Sequence, residues 1–465
     1  MSVQLALTAA LSGLRTSQQQ AAMVSHNIAN ATTAGYVRRD LALSATTTAG
    51  QGAGVQVDAV ARRVDELLIR DARYETSRYS GQEARASALA DYALVLGQPQ
   101  DEKSVSTQLS KLQQAFSRLH GMPNDDAAQN AVVSQATALA QGINRAAEAA
   151  TTVQADARDR LATSVDSVNT ALHRISELNG SIAGLDARGG DAGDLRDERD
   201  RLLDQMSDEI GIRTYGRDDG QVVVMTRNGQ TLLDHTLDPG ETPLTIVGGD
   251  VMANGVSLSA KPDTEIQSGR IMGYVQTINQ DMPRALAQLD ELAAGLVKGF
   301  QAAEADPTKA GLFTDAGAVY GITAGLASRI AVNDVVRTES WRVQSGVQAA
   351  APLQPGDQTQ IAVFQAAFTA PRAFSAADMP ATATLGDYAT AMVSAQQGYR
   401  TGAESEMNAR KISADTLQSA RINRDGVNVD DEMQKLMLIE QSYGASAQVV
   451  QVAGRMIDIL LQIKG

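Results

Sequence analysis

The two ends of the chain carry apolar residues in helical rhythm, while the roughly 400 residues between them show no such continuous pattern. Near the N-terminus Leu7, Leu11, Leu14, Ala21 and Ile28 recur at steps of three, four or seven, and near the C-terminus Leu436, Ile439, Tyr443, Ser446, Val450, Ala453, Ile457 and Leu460 do so without a break. That period belongs to helices that bury a narrow seam against another helix. Chain ends are ordinarily the frayed part of a domain; here they are the most regular part, so the two stripes are expected to pair as a coiled coil. The N-terminal seam is under-filled, with Gln18 and Ser25 where larger apolar residues would be expected. A two-stranded pair of that kind gains stability from packing among further copies of itself.

Between the ends, the pattern predicts a mainly α chain with a β-rich excursion, built as an elongated helical bundle. The first helix runs over 3–30 and stops at Asn30-Ala-Thr-Thr-Ala-Gly35. An extended stretch over 36–60 turns at Gly50-Gln-Gly-Ala-Gly54. Helical patterns follow from about Val64 to Leu96, from Ser104, and from Ala127 to Leu185, the last as one long helix or two end to end. Gly211 opens a region of strand composition whose Asp219-Gly220, Asn228-Gly229 and Asn254-Gly255 pairs are hairpin turns. Helix returns over 269–305 and again from about 380 to the end, with one turn at Asn423-Arg-Asp-Gly426. The expected domains are a terminal unit, 1–70 with 415–465, and a helical body, 71–414. The body carries a β-hairpin excursion at 211–266 and a short mixed segment at 309–380.

Aromatic residues are only 4% of the 465, which favours closely approaching Ala-rich helices over a bulky core. A net charge of −14 argues against nucleic acid as a partner, because phosphate neutralisation needs clustered Lys and Arg. There is no cysteine, so disulfides and thiolate chemistry are excluded. No run approaches the length needed to span a bilayer, and the N-terminus lacks the basic region that precedes a signal peptide. A membrane partner is therefore not expected.

No constellation for catalysis emerges. The four histidines, His26, His120, His173 and His235, form no ligand cluster, and no zincin, nucleophile-elbow or phosphate-loop motif occurs. Catalytic residues, metal ligands and cofactors are expected to be absent. The charged run from Asp194 to Asp204 reads as a solvated helix face with weak ion pairs, each worth about 0.2–0.5 kcal/mol.

One stretch is specific. Ser25-His-Asn-Ile-Ala-Asn-Ala-Thr-Thr-Ala-Gly-Tyr-Val-Arg-Arg39 resembles the N-terminal motif of the bacterial flagellar axial proteins of the rod, hook and hook-associated group. Asn27, Asn30, Gly35 and Tyr36 match that motif, while His26 and Ala34 replace an Asn and a Pro. Gly54-Val-Gln-Val, Arg63-Val-Asp-Glu-Leu-Leu, the Asp194–Leu203 run, Gly426-Val-Asn-Val-Asp-Asp-Glu-Met and Tyr443-Gly-Ala-Ser-Ala-Gln-Val resemble the hook-associated members.

The resemblance implies a structural subunit that joins hook to filament by helical self-assembly after export through the flagellar type III channel without a cleaved signal. Its location would be the extracellular flagellum. Its implied partners are copies of itself, hook protein, the second hook–filament junction protein, and an export chaperone at the C-terminal helix. The family's projecting outer domain would be reduced or missing at 309–380. The ends would be disordered in the free subunit and ordered in the tube. The assembly interface would then comprise Leu7, Leu11, Leu14 and Ile28 with Leu436, Ile439, Tyr443, Val450, Ile457 and Leu460. Another axial protein, or a secreted peptidoglycan hydrolase, stands as the alternative.

Overall fold

The computed structural model describes residues 3–33, 35–48, 51–258 and 268–463. Helix α1 (Val3–Ala29) leads into a hairpin of β1 (Arg39–Thr48) and β2 (Gln51–Arg62), then α2 (Glu66–Leu96), α3 (Val105–Gly121), α4 (Asp126–Asp186) and α5 (Gly193–Glu209). Two antiparallel three-stranded meanders follow: β3 (Ile212–Gly216), β4 (Val222–Thr226) and β5 (Thr231–Leu233), then β6 (Leu244–Val247), β7 (Asp250–Ala253) and β8 (Val256–Ser257). The excursion expected at 211–266 is thus a pair of meanders, and its last part, 259–266, lies outside the described residues.

Helix resumes as α6 (Arg270–Gln276), a π turn at Thr277–Asp281 and α7 (Met282–Ala302). Next come β9 (Phe313–Asp315), α8 (Leu326–Arg329), β10 (Ile330–Val332), α9 (Asp334–Thr338), α10 (Arg342–Ser345), α11 (Thr359–Thr369), β11 (Arg372–Ala373) and β12 (Thr382–Ala383). The chain closes with α12 (Leu385–Asp425) and α13 (Val429–Ile463).

Helix α4 is the spine. Its 61 residues run unbroken for roughly 90 Å at 1.5 Å per residue. Asp125 caps its start, accepting from the Ala127 N–H at 2.9 Å, and Gly189, at φ +70°, turns the chain at its end. Buried residues recur along it at three- and four-residue steps, and they serve two cores in succession. The first half, from Ala128 to Val153, packs into a core with α2, α3 and α7. The second half, from Ala157 to Ile175, packs with α5, α6 and both meanders.

All six phenylalanines lie in the first core, where Phe300 sits 5.1 Å from Phe368, 5.2 Å from Phe313 and 5.7 Å from Phe364, ring centre to ring centre. Four of these six, Phe313, Phe364, Phe368 and Phe374, come from the segment 309–380. That segment therefore packs into the body's own core. Its short elements are held by aromatic side chains, of which Phe364 and Phe368 stand one helical turn apart on α11 while Phe313 and Phe374 come from elsewhere in the segment.

The ends pair as anticipated. Gly13 of α1 faces Ser446 of α13, and Asn27 bonds Glu432, so equal steps along the two helices run in opposite directions. A second antiparallel pair connects this unit to the body. Helix α12 runs against α2, linking Asp425 to Asp65 at one end, Arg410 to Glu75 midway, and Gln397 to Gly97 at the other. The expected cuts at 70/71 and 414/415 both fall inside these helices, which carry the chain continuously from the terminal unit into the body.

Candidate assembly site

The seam between α1 and α13 is made of small residues. Ala10, Thr16, Ser17 and Val24 are buried on α1, and Ala453 on α13. A Cβ built on Gly13 would stand 3.1 Å from the Ser446 hydroxyl, so glycine lets the two backbones approach. On a neighbouring face Gly54 presses the β1–β2 hairpin onto α1, where the Val55 N–H donates to Ser12 Oγ at 3.1 Å.

Close approach through small residues leaves the larger ones at the rim. Leu7, Leu14, Ile28, Leu436, Ile439, Val450 and Ile457 are half-buried. Leu11 and Tyr443, expected in the seam, are 42% and 41% exposed, and the Leu460 side chain lies outside the described residues. Outside the seam α13 presents a further apolar row, with Met437 55%, Val452 42%, Met456 49% and Ile459 56% exposed.

At the inner end of the seam lies a polar hub. Helix α1 ends where Asn30 turns back, its Nδ2 donating to the His26 carbonyl at 3.0 Å, and Thr33 Oγ1 donates to Asn30 Oδ1 at 3.2 Å. Ala34 is outside the described residues. Gly35, at φ +77°, reverses the chain and brings Tyr36 back over the helix. The Tyr36 hydroxyl donates to Asn27 Oδ1 at 2.8 Å, which also accepts the Arg39 N–H at 3.2 Å.

Asn27 Nδ2 donates to the Arg39 carbonyl at 2.8 Å and to Glu432 Oε2 at 2.9 Å, so this fully buried amide uses all four of its bonding positions. The other Glu432 oxygen accepts from Lys435 Nζ at 2.5 Å. Burial pushes the Tyr36 hydroxyl up to about 12; the nearby carboxylates of Asp197, Asp194 and Glu432 add to the rise, and Arg39 opposes it.

The hub is anchored to the body by α5. Arg39 and Arg62 are directly opposed across the β1–β2 hairpin, where two like charges would repel. Carboxylates from one face of α5 separate them. Arg39 reaches Asp194 at 2.6 Å and Asp197 at 2.7 Å; Arg62 reaches Asp197 at 2.7 Å and Asp200 at 2.6 Å. Further along, Asp204 is 2.6 Å from Arg73 of α2 and 2.9 Å from Arg421 of α12.

These acids recur at three- and four-residue steps, a single helix face. The solvated face expected of the Asp194–Asp204 run is, on this side, a clamp against four arginines of other elements. Burial opposes protonation of Arg39, yet its bonds to Asp194 and Asp197 hold its pKa above the usual arginine value. At Asp197 burial outweighs both arginines and raises the carboxyl, whereas at Asp200 the charges of Arg62 and Arg73 outweigh burial and lower it.

Among the described residues no group of three or more His, Asp or Glu side chains is placed to hold a metal, and no helix is long and apolar enough to cross a membrane. Glu432 and Arg39 fall within stretches that carry the resemblance, but the sequence assigned no role to them or to Arg62. A further signal for Glu432 is its place four residues before Leu436, an acid on an apolar stripe.

The family model described as the flagellar hook-associated protein FlgK helical domain matches residues 95–310, and that of the flagellar basal body rod FlgEFG protein C-terminal region matches 418–463. Flagellar hook-associated protein 1 of Bacillus subtilis is 26% identical over 99% of this chain and 99% of its own length. Its namesakes in Escherichia coli and Salmonella typhimurium are 24% and 25% identical over 63% of this chain and 55% of theirs. The chain thus spans the whole of the first relative and about half of the other two. The solved flagellar hook junction protein FlgK of Burkholderia pseudomallei aligns over 53% of this chain and 46% of its own, with a TM-score of 0.44 and 18% identity.

Paired end helices, a hub at their exit and a long helical body accompany a likeness to axial components of the bacterial flagellum. The chain is similar to flagellar hook-associated protein 1 along its whole length. It is a structural subunit of the kind that stands at the junction of hook and filament, in association with other axial components.

Proposed function

We propose that the chain acts as a non-catalytic adaptor, exported through the flagellar type III channel, whose copies assemble helically between hook protein and the second junction protein. The unit 1–70 with 415–465 forms the inner layer of the tube, and the body 71–414 forms its wall. Leu7, Leu11, Leu14 and Ile28, with Leu436, Ile439, Tyr443, Val450, Ile457 and Leu460, supply the contacts between and within copies. Asn27, Asn30, Gly35 and Tyr36 set the angle at which the chain leaves the inner helix. A chaperone covers α13 before export, and the ends become fully ordered on assembly.

The observation that carries this reading is the exposed apolar row of α13, beside a seam too small to bury it. Contiguous apolar surface of that kind marks an interaction site. In an open, heterologous assembly it is covered by a different patch of the next copy. The experiment is complementation of a strain lacking the protein with a chain deleted for α1 and α13. The expected result is a folded body, no hook–filament connection and no swimming; restored swimming overturns the proposal.

A further inference from the structure

In an acidic chain, one cavity is strongly basic. It lies between α2, α5 and the β3–β4 hairpin, holds about 950 Å³, and is lined by eight arginines against four carboxylates. Half of these arginines are engaged by acids: Arg62 and Arg73 in the α5 clamp, Arg196 with Asp186, and Arg70 with Asp71. The other four are not. Arg199 donates to Asn179 Oδ1 and the Gly220 carbonyl, Arg217 donates to the Asp234 carbonyl, and Arg227 lies 3.9 Å over the Tyr74 ring. Among the described residues, neither these three nor Arg213 has a carboxylate within ion-pair distance.

Their crowding is unfavourable as it stands. Burial, together with the charges of Arg196, Arg62 and Arg73, lowers Arg199 to about 10 despite Asp200; burial and the charge of Arg213 lower Arg227. The Nε–H groups of Arg62, Arg199 and Arg227 are buried without an acceptor. Buried donors without partners and mutually repelling cations both call for an anion. Guanidinium forks suit planar carboxylate or phosphate oxygens, and the volume is that of a small-molecule site. Arg199 is buried at the wall, so whatever reaches it is compact.

We propose that this cavity binds a small multivalent oxyanion of the phosphate or polycarboxylate class, which ties the β3–β4 hairpin to α2 and α5. Because Arg62 and Arg73 both line the cavity and hold α5, its occupancy also bears on the anchoring of the terminal unit.

The test is calorimetry and thermal melting of the full chain with sodium pyrophosphate, with citrate and with hexaglutamate, each at constant ionic strength. The expected result is saturable binding of pyrophosphate or citrate, one per chain, with a raised melting midpoint. Arg213→Gln, an exposed position, should weaken binding about tenfold, the effect of one charge-assisted bond, while leaving helicity unchanged. Arg227→Gln should do the same. No binding of either small anion, binding unaffected by both substitutions, or binding of hexaglutamate alone would overturn the proposal.

Discussion

Asn27 and Glu432, 405 residues apart, meet in a buried hydrogen bond of 2.9 Å that closes the inner end of the α1–α13 seam. The bond requires an amide donor facing a carboxylate. Asn27→Asp places a second acid against Glu432 in the same dry pocket and leaves the Arg39 carbonyl opposite an acceptor. The expected cost is about 2–4 kcal/mol to the paired state, enough to raise the concentration needed for assembly by well over tenfold. Adding Glu432→Gln should recover much of it. Polymer sedimentation of the two variants measures this, and equal assembly of Asn27→Asp and the unaltered chain would refute it.

The α5 clamp predicts an asymmetry between single and double substitutions. Asp197→Ala leaves Arg39, only 4% exposed, and Arg62 without their shared acid. Breaking a buried pair from one side typically costs about 3–5 kcal/mol. Arg39→Met combined with Asp197→Leu removes both charges, and the expected loss is smaller than for Asp197→Ala alone. Urea unfolding of the three proteins gives the comparison.

The parts of the fold that could be read beforehand are those with a local cause. The end helices announce themselves by period, and Ser104 sits as the N-cap of α3, accepting from the Thr107 N–H at 3.2 Å. The meander turns follow their dipeptides: Gly220, Gly229 and Gly255 all take positive φ. The clamp could not be read in this way. Asp197 and Arg39 are 158 residues apart, and the three- and four-residue steps of the α5 acids do not tell which residues face them. The docking of 309–380 was hidden for a related reason, since Phe364 and Phe368 mark a helical face on α11 but nothing local says that this face and Phe313 meet at Phe300. In the seam, Leu11 stood out by size, yet contact is made by Ala10, Gly13 and Ser17, whose smallness is the property that brings the helices together.

Gly35 tests the exit from α1. Its φ of +77° is costly for any residue with a Cβ, and a Cβ there would run into Arg201 Cγ. Arg201 is exposed and can swing aside, so the backbone term remains: Gly35→Ala is expected to cost about 1–2 kcal/mol. If the clash mattered more, Arg201→Ala would rescue Gly35→Ala. The prediction is that it rescues little, read from melting midpoints of the assembled protein.

Tyr36 gives the hub a sign with pH. Its hydroxyl is raised from 10.0 to about 12, so the neutral form is favoured in the folded hub. A group with a raised folded pKa contributes fully below its unfolded value and loses that contribution as pH climbs through the folded value. The hub is therefore expected to hold up to about pH 10 and to loosen between 10 and 12. Ionisation would turn the donor facing Asn27 Oδ1 into an acceptor. Subtracting the phenolate absorbance of Tyr36→Phe from that of the unaltered polymer isolates this titration. A midpoint near 10 in the polymer would show that the hub is not formed.

The exposed row of α13 yields the most direct test of assembly. Met437 and Ile459 are more than half exposed and lie off the α1 seam, so glutamate at either position leaves the intramolecular pairing in place. Surface changes of this kind typically alter stability by no more than about 0.5 kcal/mol. In the assembly proposed above, the same glutamate would be buried between copies against an apolar patch without a counter-ion, a costly arrangement. Met437→Glu and Ile459→Glu are therefore expected to keep the body's melting midpoint and to abolish polymer formation and swimming. A lysine substitution at each position should fail equally, because the defect is burial of charge and not its sign. Polymers of normal length from either glutamate variant would show that this face looks into solvent in the tube, and that the contacts between copies are made elsewhere on the chain.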